Sequence, residues 1–344
     1  MSPPRPVTSC PGSGPHGRSA VIDLHTDALY EHVRGRRDIT LWSDKGHLDL
    51  PRMREGGVDA EVFAVWTNPK LFGPGQRLRF VLKAIREFKA ICRREPAALC
   101  LALAPTDISA AKAYGRIAGI LGVEGGHALE GDVGNLTRLY RRGIRLVTLT
   151  WNNSNELGRS CTARDGRHRG LTRLGRKAIR RMNRLGIIVD LSHTSERTFA
   201  DALEASAAPV ICSHSACRAL RRFPRNLTDR QLRDLGQQGG MVGIVFLPYF
   251  VHRDHLRVTL DHVVDHIEHA ASVAGIESVG IGSDFDGFSD RPPVGLEDVT
   301  RIPALAARLR ERGFSQPEVD RVMGGNFLRV WAGIAACGRA QPTD

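Results

Sequence analysis

Short apolar runs alternate with amphipathic stretches of helical period along almost the whole chain, and this alternation limits the fold more than any other feature. The apolar runs fall at 21–27, 58–66, 118–124, 145–151, 187–193, 209–214, 240–246 and 278–284, with a further one at 98–104. Helical stretches lie between them, among them 77–94, 135–143, 172–185, 195–205, 228–236 and 260–274. A strand, a helix and a second strand in succession make a parallel sheet, and eight repeats close into a (β/α)8 barrel. The run at 98–104 is short and ends without a polar side chain, so it is expected at the periphery. No internal repeat or linker divides the chain. The expected fold class is therefore α/β, a single (β/α)8 TIM barrel over 19–336. A Pro/Gly/Ser-rich disordered tail over 1–18 and a short tail over 337–344 are expected to flank it.

Length and composition fit one such domain. The 344 residues are 42% hydrophobic but only 6% aromatic, so the core must be built mainly from Leu, Ile, Val and Ala. The formal charge is +12. Runs such as Arg180-Arg181 and Arg221-Arg222-Phe223-Pro224-Arg225 have the chemistry to hold phosphates. The basic residues are nevertheless scattered, with no interleaved aromatics and no nucleic-acid motif, so a basic surface without a nucleic-acid partner is expected. The seven cysteines form no CxxC pair, and most read as small buried residues in a reducing compartment. Met1–Ala20 lacks an apolar secretory core, and no run approaches the roughly 20 apolar residues of a membrane span. A soluble, cytoplasmic protein is expected.

The ends of the runs carry the chemistry. In Val21-Ile22-Asp23-Leu24-His25-Thr26-Asp27 a period of two puts Asp23, His25 and Asp27 on one face and Ile22, Leu24 and Thr26 on the other. By itself the stretch fits either a metal grip or a buried strand whose His and Asp bond each other. Other runs end in Glu124, Trp151, His193, His214 and Asp284. In a (β/α)8 barrel these ends converge on one mouth, where active sites sit. One HxD, two lone histidines and a glutamate offer the N and O ligands, and the bridging carboxylate, that two adjacent divalent ions need. His127 follows Glu124 in a glycine turn and reads as support for the ligands. His262, His266 and His269 share one helical face, which reads as a solvated outer face.

These residues resemble the renal (membrane) dipeptidase family of zinc peptidases from about Val21 to Trp331. The resemblance rests on Asp23-Leu24-His25-Thr26-Asp27, Gly122-Val123-Glu124-Gly125-Gly126-His127, Leu191-Ser192-His193, Cys212-Ser213-His214-Ser215 and Gly282-Ser283-Asp284-Phe285-Asp286-Gly287. It implies a barrel of the metal-dependent hydrolase type with two zinc ions per chain. His25 and Asp27 would bind one ion, His193 and His214 the other, and Glu124 would bridge them. It further implies that Arg225 holds the terminal carboxylate of a dipeptide substrate, that Asp284 and Glu124 are catalytic, and that the protein is a homodimer. A hydroxide bridging the two ions would cleave the peptide bond. Trp151 and Asn155 stand where substrate contacts are expected. Trp151 is a departure, because many members have a histidine there. Two other readings remain open from the residues: a barrel metallohydrolase acting on a lactone, cyclic imide or β-lactam, and a barrel that binds without catalysis.

Overall fold

Nine parallel strands appear in the computed structural model, which describes residues 19–166, 168–289 and 291–339. They are β1 (Ile22–Thr26), β2 (Ala60–Trp66), β3 (Leu99–Leu101), β4 (Ile117–Glu124), β5 (Ile144–Thr148), β6 (Ile188–Asp190), β7 (Ile211–Ser215), β8 (Met241–Ile244) and β9 (Val279–Ile281). The order β2-β1-β9-β8-β7-β6-β5-β4 closes through a β2–β4 pairing, so eight strands form the barrel. β3 stays outside the ring, as its sequence suggested. It pairs with the first part of β4, Ile117 to Gly119, while β5 takes the part from Leu121 onward.

The period of two along β4 sorts its residues between two apolar layers. Ala118 and Ile120 point inward and join Ile22, Leu24, Val62, Leu146, Ile188, Ile211 and Met241 in a cluster at the barrel floor. The final helix, Asn326–Arg339, plugs that floor with Phe327, Val330, Trp331 and Ile334. Leu121 and Val123 point outward into the larger layer between barrel and helices. By the same alternation Glu124 faces inward at the mouth, above Gly122.

The helices begin and end where local chemistry dictates. The Thr172 hydroxyl accepts from Gly175 N at the start of Arg173–Leu185, and Gly186 closes that helix at φ 69°. Ser195 caps Glu196–Ala205, and Thr228 and Gln231 form a capping box on Asp229–Gln237.

Several expectations need correction. The strands are shorter than the apolar runs, so His193, Trp151 and Asp284 each lie beyond a strand end, in the loops of the mouth. His266 does not face solvent. It is 1% exposed, accepts from Cys217 N at 2.9 Å and bonds Val251 O at 2.8 Å, because its side of Leu260–Ala274 packs on the barrel. His262 caps its own helix at Thr259, and His269 pairs with Asp229, so the three histidines do not gather. Residues 337–339 continue the last helix, while 1–18 and 340–344 lie outside the described residues. Among the described residues no disulfide forms, and no helix is long and apolar enough to cross a membrane.

Candidate metal centre and active site

The first strand does not keep strict alternation. Against β2, Asp23 pairs with Glu61 and Thr26 with Phe63, so three steps of β1 span two of β2. This bulge lets Leu24 belong to the floor while His25, the next residue, reaches the mouth, and the His25 ring makes no bond to Asp23. The Asp23 carboxylate accepts from two backbone groups, Ser283 N at 2.7 Å and His25 N at 3.3 Å, and burial raises its pKa to about 6. It thereby ties β1 to the end of β9. Asp284 N donates to His25 O at 3.1 Å and Asp27 N to Phe285 O at 2.9 Å, which sets Asp284 beside His25 and Asp27.

Six buried groups meet at the mouth: His25, Asp27, Glu124, His193, His214 and Asp284. His193 Nε2 lies 2.8 Å from Glu124 Oε1, and His214 Nε2 lies 3.4 Å from the same oxygen. His25 Nε2 is 3.9 Å from Glu124 Oε2 and 3.8 Å from Asp284 Oδ1. Glu124 therefore belongs to two ligand-type clusters, one with His25 and Asp27 and one with His193 and His214, while Asp284 groups with His25 and His214. Both His193 and Asp284 adopt left-handed backbone, at φ 66° and 63°. Such conformations cost energy in non-glycine residues and persist where the surrounding structure imposes them.

Hydrogen bonds from behind fix the imidazoles. His193 Nδ1 lies 3.0 Å from Asn152 Oδ1, and His214 Nδ1 lies 2.8 Å from Ser213 Oγ. The Ser213 hydroxyl donates in turn to Asp190 Oδ2 at 2.7 Å, and Thr148 Oγ1 donates to the same oxygen at 2.6 Å. With protons on Nδ1, both Nε2 atoms present lone pairs, only 3.0 Å apart. Two lone pairs that close repel unless a cation stands between them.

The electrostatics point the same way. Burial and the neighbouring carboxylates Glu124 and Asp284 push Asp27 well above its ordinary value, and burial with Asp284 does the same to Glu124. Burial raises Asp284 to about 7 against the opposing pull of Arg225. Burial, with the Arg225 charge, holds His25 down to about 3 and both His193 and His214 well below the usual range. Neutral imidazoles beside carboxylates that resist ionising together suit divalent ions, which would offset the negative charge. His25 Nδ1 and Nε2 and Asp27 Oδ1 are buried without partners, as ligand atoms would be. The residues fit a pair of metal ions.

The remaining expected residues are placed less uniformly. Trp151 lines the pocket of about 360 Å³ over these histidines and carboxylates, stacked on Trp66 at 5.1 Å, and Trp66 stacks on Tyr30 at 4.6 Å. Asn155 does not reach the pocket. Its Nδ2 donates to Leu149 O and its Oδ1 accepts from Leu157 N, so the amide is used in folding its own loop. Asn152 lines the pocket instead. Arg225 is 4% exposed behind His214, donating to Ser215 Oγ at 2.7 Å and His214 O at 2.6 Å, with Nε unpartnered. His127 is buried under the glycine turn, where a Cβ on Gly125 would lie 2.7 Å from its Nδ1. Asn152 and Asp190 were missed in the sequence. Asp190 carried a signal: an acid inside the apolar run 187–193 must find buried donors.

Comparison with known proteins agrees with this architecture. The sequence model of the membrane dipeptidase family (peptidase family M19) matches residues 16–343. The dipeptidase tcpJ of Claviceps purpurea is 36% identical over 296 residues, covering 83% of this chain and 68% of the relative. An uncharacterized dipeptidase of Schizosaccharomyces pombe is 38% identical over 331 residues, 90% of this chain and 79% of that one. A metallopeptidase of Rhodobacter sphaeroides, liganded with a phosphinate mimic of the dipeptide L-Ala-D-Ala, superposes with a TM-score of 0.82 at 28% identity, over 92% of this chain and 99% of that one. A closed parallel barrel with histidines and carboxylates gathered at its mouth, and a family match along nearly its whole length, establish that this chain belongs to the membrane dipeptidase family and is a metallo-dipeptidase.

Proposed function

We propose that the chain hydrolyses dipeptides with a free terminal carboxylate at a centre of two zinc ions. His25 and Asp27 would hold one ion, His193 and His214 the other, and Glu124 both. The observation that carries this reading is the membership of Glu124 in both clusters, with its two oxygens turned to different histidines. Ions there would polarise the scissile carbonyl and bring the pKa of a water toward neutrality.

The chain's own residues would do the rest. Asp284, with a pKa of about 7, suits a group that takes a proton from the attacking water on a carboxylate oxygen and returns it to the leaving nitrogen. Asn152 and the Asp190–Ser213 pair hold His193 and His214 in one tautomer. The Arg225 Nε, buried and unpartnered, supports a role in receiving the substrate carboxylate. The stacked rings of Tyr30, Trp66 and Trp151 form a flat apolar wall and close water out on that side.

The test combines metal analysis with turnover of a small dipeptide panel. Purified protein should carry about two zinc ions per chain, and Glu124→Gln should lower the content at both sites together while abolishing turnover. Full metal content and full activity in Glu124→Gln would refute the shared-ligand reading. Turnover of dipeptide amides as fast as of the free acids would remove Arg225 from substrate binding.

A further inference from the structure

A second cavity, of about 560 Å³, adjoins the metal pocket and shares no lining residue with it. Cys161, Arg164, Glu196, Arg218, Arg222 and Phe223 are on its wall. Phe223 stacks on Phe250 at 5.1 Å, and Phe250 lines the metal pocket, so this aromatic pair stands between the two spaces. On another side, Cys161 N donates to His193 O at 2.7 Å, which joins the cavity wall to the turn that carries a metal-ligand histidine.

The charge of this cavity is unbalanced. It has three guanidinium groups and one carboxylate. Glu196 pairs with Arg218, whose remaining donors go to Asn226 O and Pro224 O, bracing the loop that carries Arg225. Arg218 is thereby occupied. Among the described residues, the side chains of Arg164 and Arg222 have neither a carboxylate nor a hydrogen-bond partner. The nearest acid in sequence, Asp165, is turned to Arg159 and Arg169. Positive charge in a concave wall focuses potential into the cavity and draws an anion there. Guanidinium forks match the planar or tetrahedral oxygens of carboxylates and phosphates.

We propose that this cavity is an anion-binding site for a carboxylate- or phosphate-bearing group, held by Arg164 and Arg222. The group has two sources. One is the acidic side chain of the C-terminal residue of a dipeptide seated in the metal pocket, which requires that side chain to pass the Phe223–Phe250 pair and rests on the dipeptidase reading above. The other is a free small anion, which does not. Its occupancy would bear on the turn at His193, whose carbonyl Cys161 N holds.

The double variant Arg164→Ala/Arg222→Ala tests the site, since both residues are exposed and neither takes part in the metal pocket. Two measurements are made on zinc-loaded wild type and variant. The first is calorimetric affinity for inorganic phosphate; the second is kcat/KM for Ala-Glu and Ala-Ala. If the anion is the substrate's side chain, the variant loses about tenfold in kcat/KM for Ala-Glu, and less than about twofold for Ala-Ala. If it is a free anion, phosphate affinity falls about tenfold and the Ala-Glu to Ala-Ala ratio is unchanged. Equal phosphate affinity and an equal ratio in the two proteins overturn the proposal. A wild type that cleaves neither dipeptide counts against the dipeptide reading, and the phosphate measurement then decides the cavity by itself.

Discussion

At a carboxylate with a pKa of about 7, protons compete with nearby cations near neutral pH, and Asp284 is such a group. Its pKa is raised from 3.8, so in the metal-free protein its contribution to stability is fully present below the unfolded value and is lost as pH rises through about 7. The histidines run the other way. His25, lowered to about 3, contributes stability above its unfolded value of 6.5, and loses it as pH falls toward 3. The two trends oppose each other through the mildly acidic range, so the informative quantity is the difference between zinc-loaded and metal-free protein. Zinc held by Asp27 and Glu124 would displace their protons, and its charge would favour the ionised form of Asp284 beside them, so the rise in Tm on adding zinc should grow from about pH 5.5 to about pH 8. A zinc-induced rise that does not change across that range would remove these carboxylates from the metal centre. Trp151 makes a second prediction at this scale. Its ring is part of a stacked wall over the histidines and carboxylates of the mouth, so Trp151→His should widen the range of side chains accepted and leave zinc content unchanged. Loss of the stack should lower stability by about 0.5–1.5 kcal/mol beyond the lost area. A dipeptide panel with a melting curve decides it: a lower Tm with an unchanged preference order would make Trp151 a packing residue only.

Loops and strand ends, taken as elements, show what the sequence could and could not convey. The alternation of apolar runs with helical stretches contains the barrel, because each strand buries both faces and each helix one. The β3 edge position was legible from its short run and apolar end. The bulge in β1 was not, since nothing in Val21–Asp27 distinguishes a slipped register from strict alternation until β2 and β9 are alongside. Asn152 and Asn155 look alike in sequence, and only the fold of their loop turns one toward His193 and the other into its own backbone. The loop after β9 is similar: Gly287 is visible in the sequence only as the end of the Gly282–Gly287 motif, and its surroundings are two carboxylates. A Cβ there would lie 2.2 Å from Asp284 Oδ1 and 2.7 Å from Asp27 Oδ2. Gly287→Ala should therefore displace both carboxylates while the barrel stays folded. Zinc affinity is expected to fall on the order of tenfold to a hundredfold, the range seen when groups that orient ligands are disturbed. Competition with a chromogenic chelator measures it, and wild-type affinity would show that the loop yields without moving either acid.

At the scale of the molecule, the barrel interior has a dry half and a reactive half. Ile22, Leu24, Ile120, Leu146 and Met241 fill the floor, and the helix Asn326–Arg339 closes it from below. The histidines and carboxylates occupy the mouth, at the opposite end of the same strands. Stability and chemistry should therefore separate under mutation. Trp331 is 1% exposed, is among the largest buried side chains and packs on Phe327 at 5.7 Å between ring centroids. Removing it leaves a cavity that the surrounding strands cannot fill, since each is held in the closed sheet by two neighbours. Trp331→Ala should cost about 3–5 kcal/mol of unfolding free energy, the usual range for a buried aromatic. Because the mouth is built from β1–β9 lacing and loop contacts that Trp331 does not touch, the folded variant should still carry its full zinc complement and keep wild-type KM for dipeptides. The measurement is a denaturant titration paired with metal analysis and kinetics well below the transition. Zinc lost in proportion to stability, while the barrel is still folded, would mean that floor and mouth are one cooperative unit and that the separation argued here does not hold.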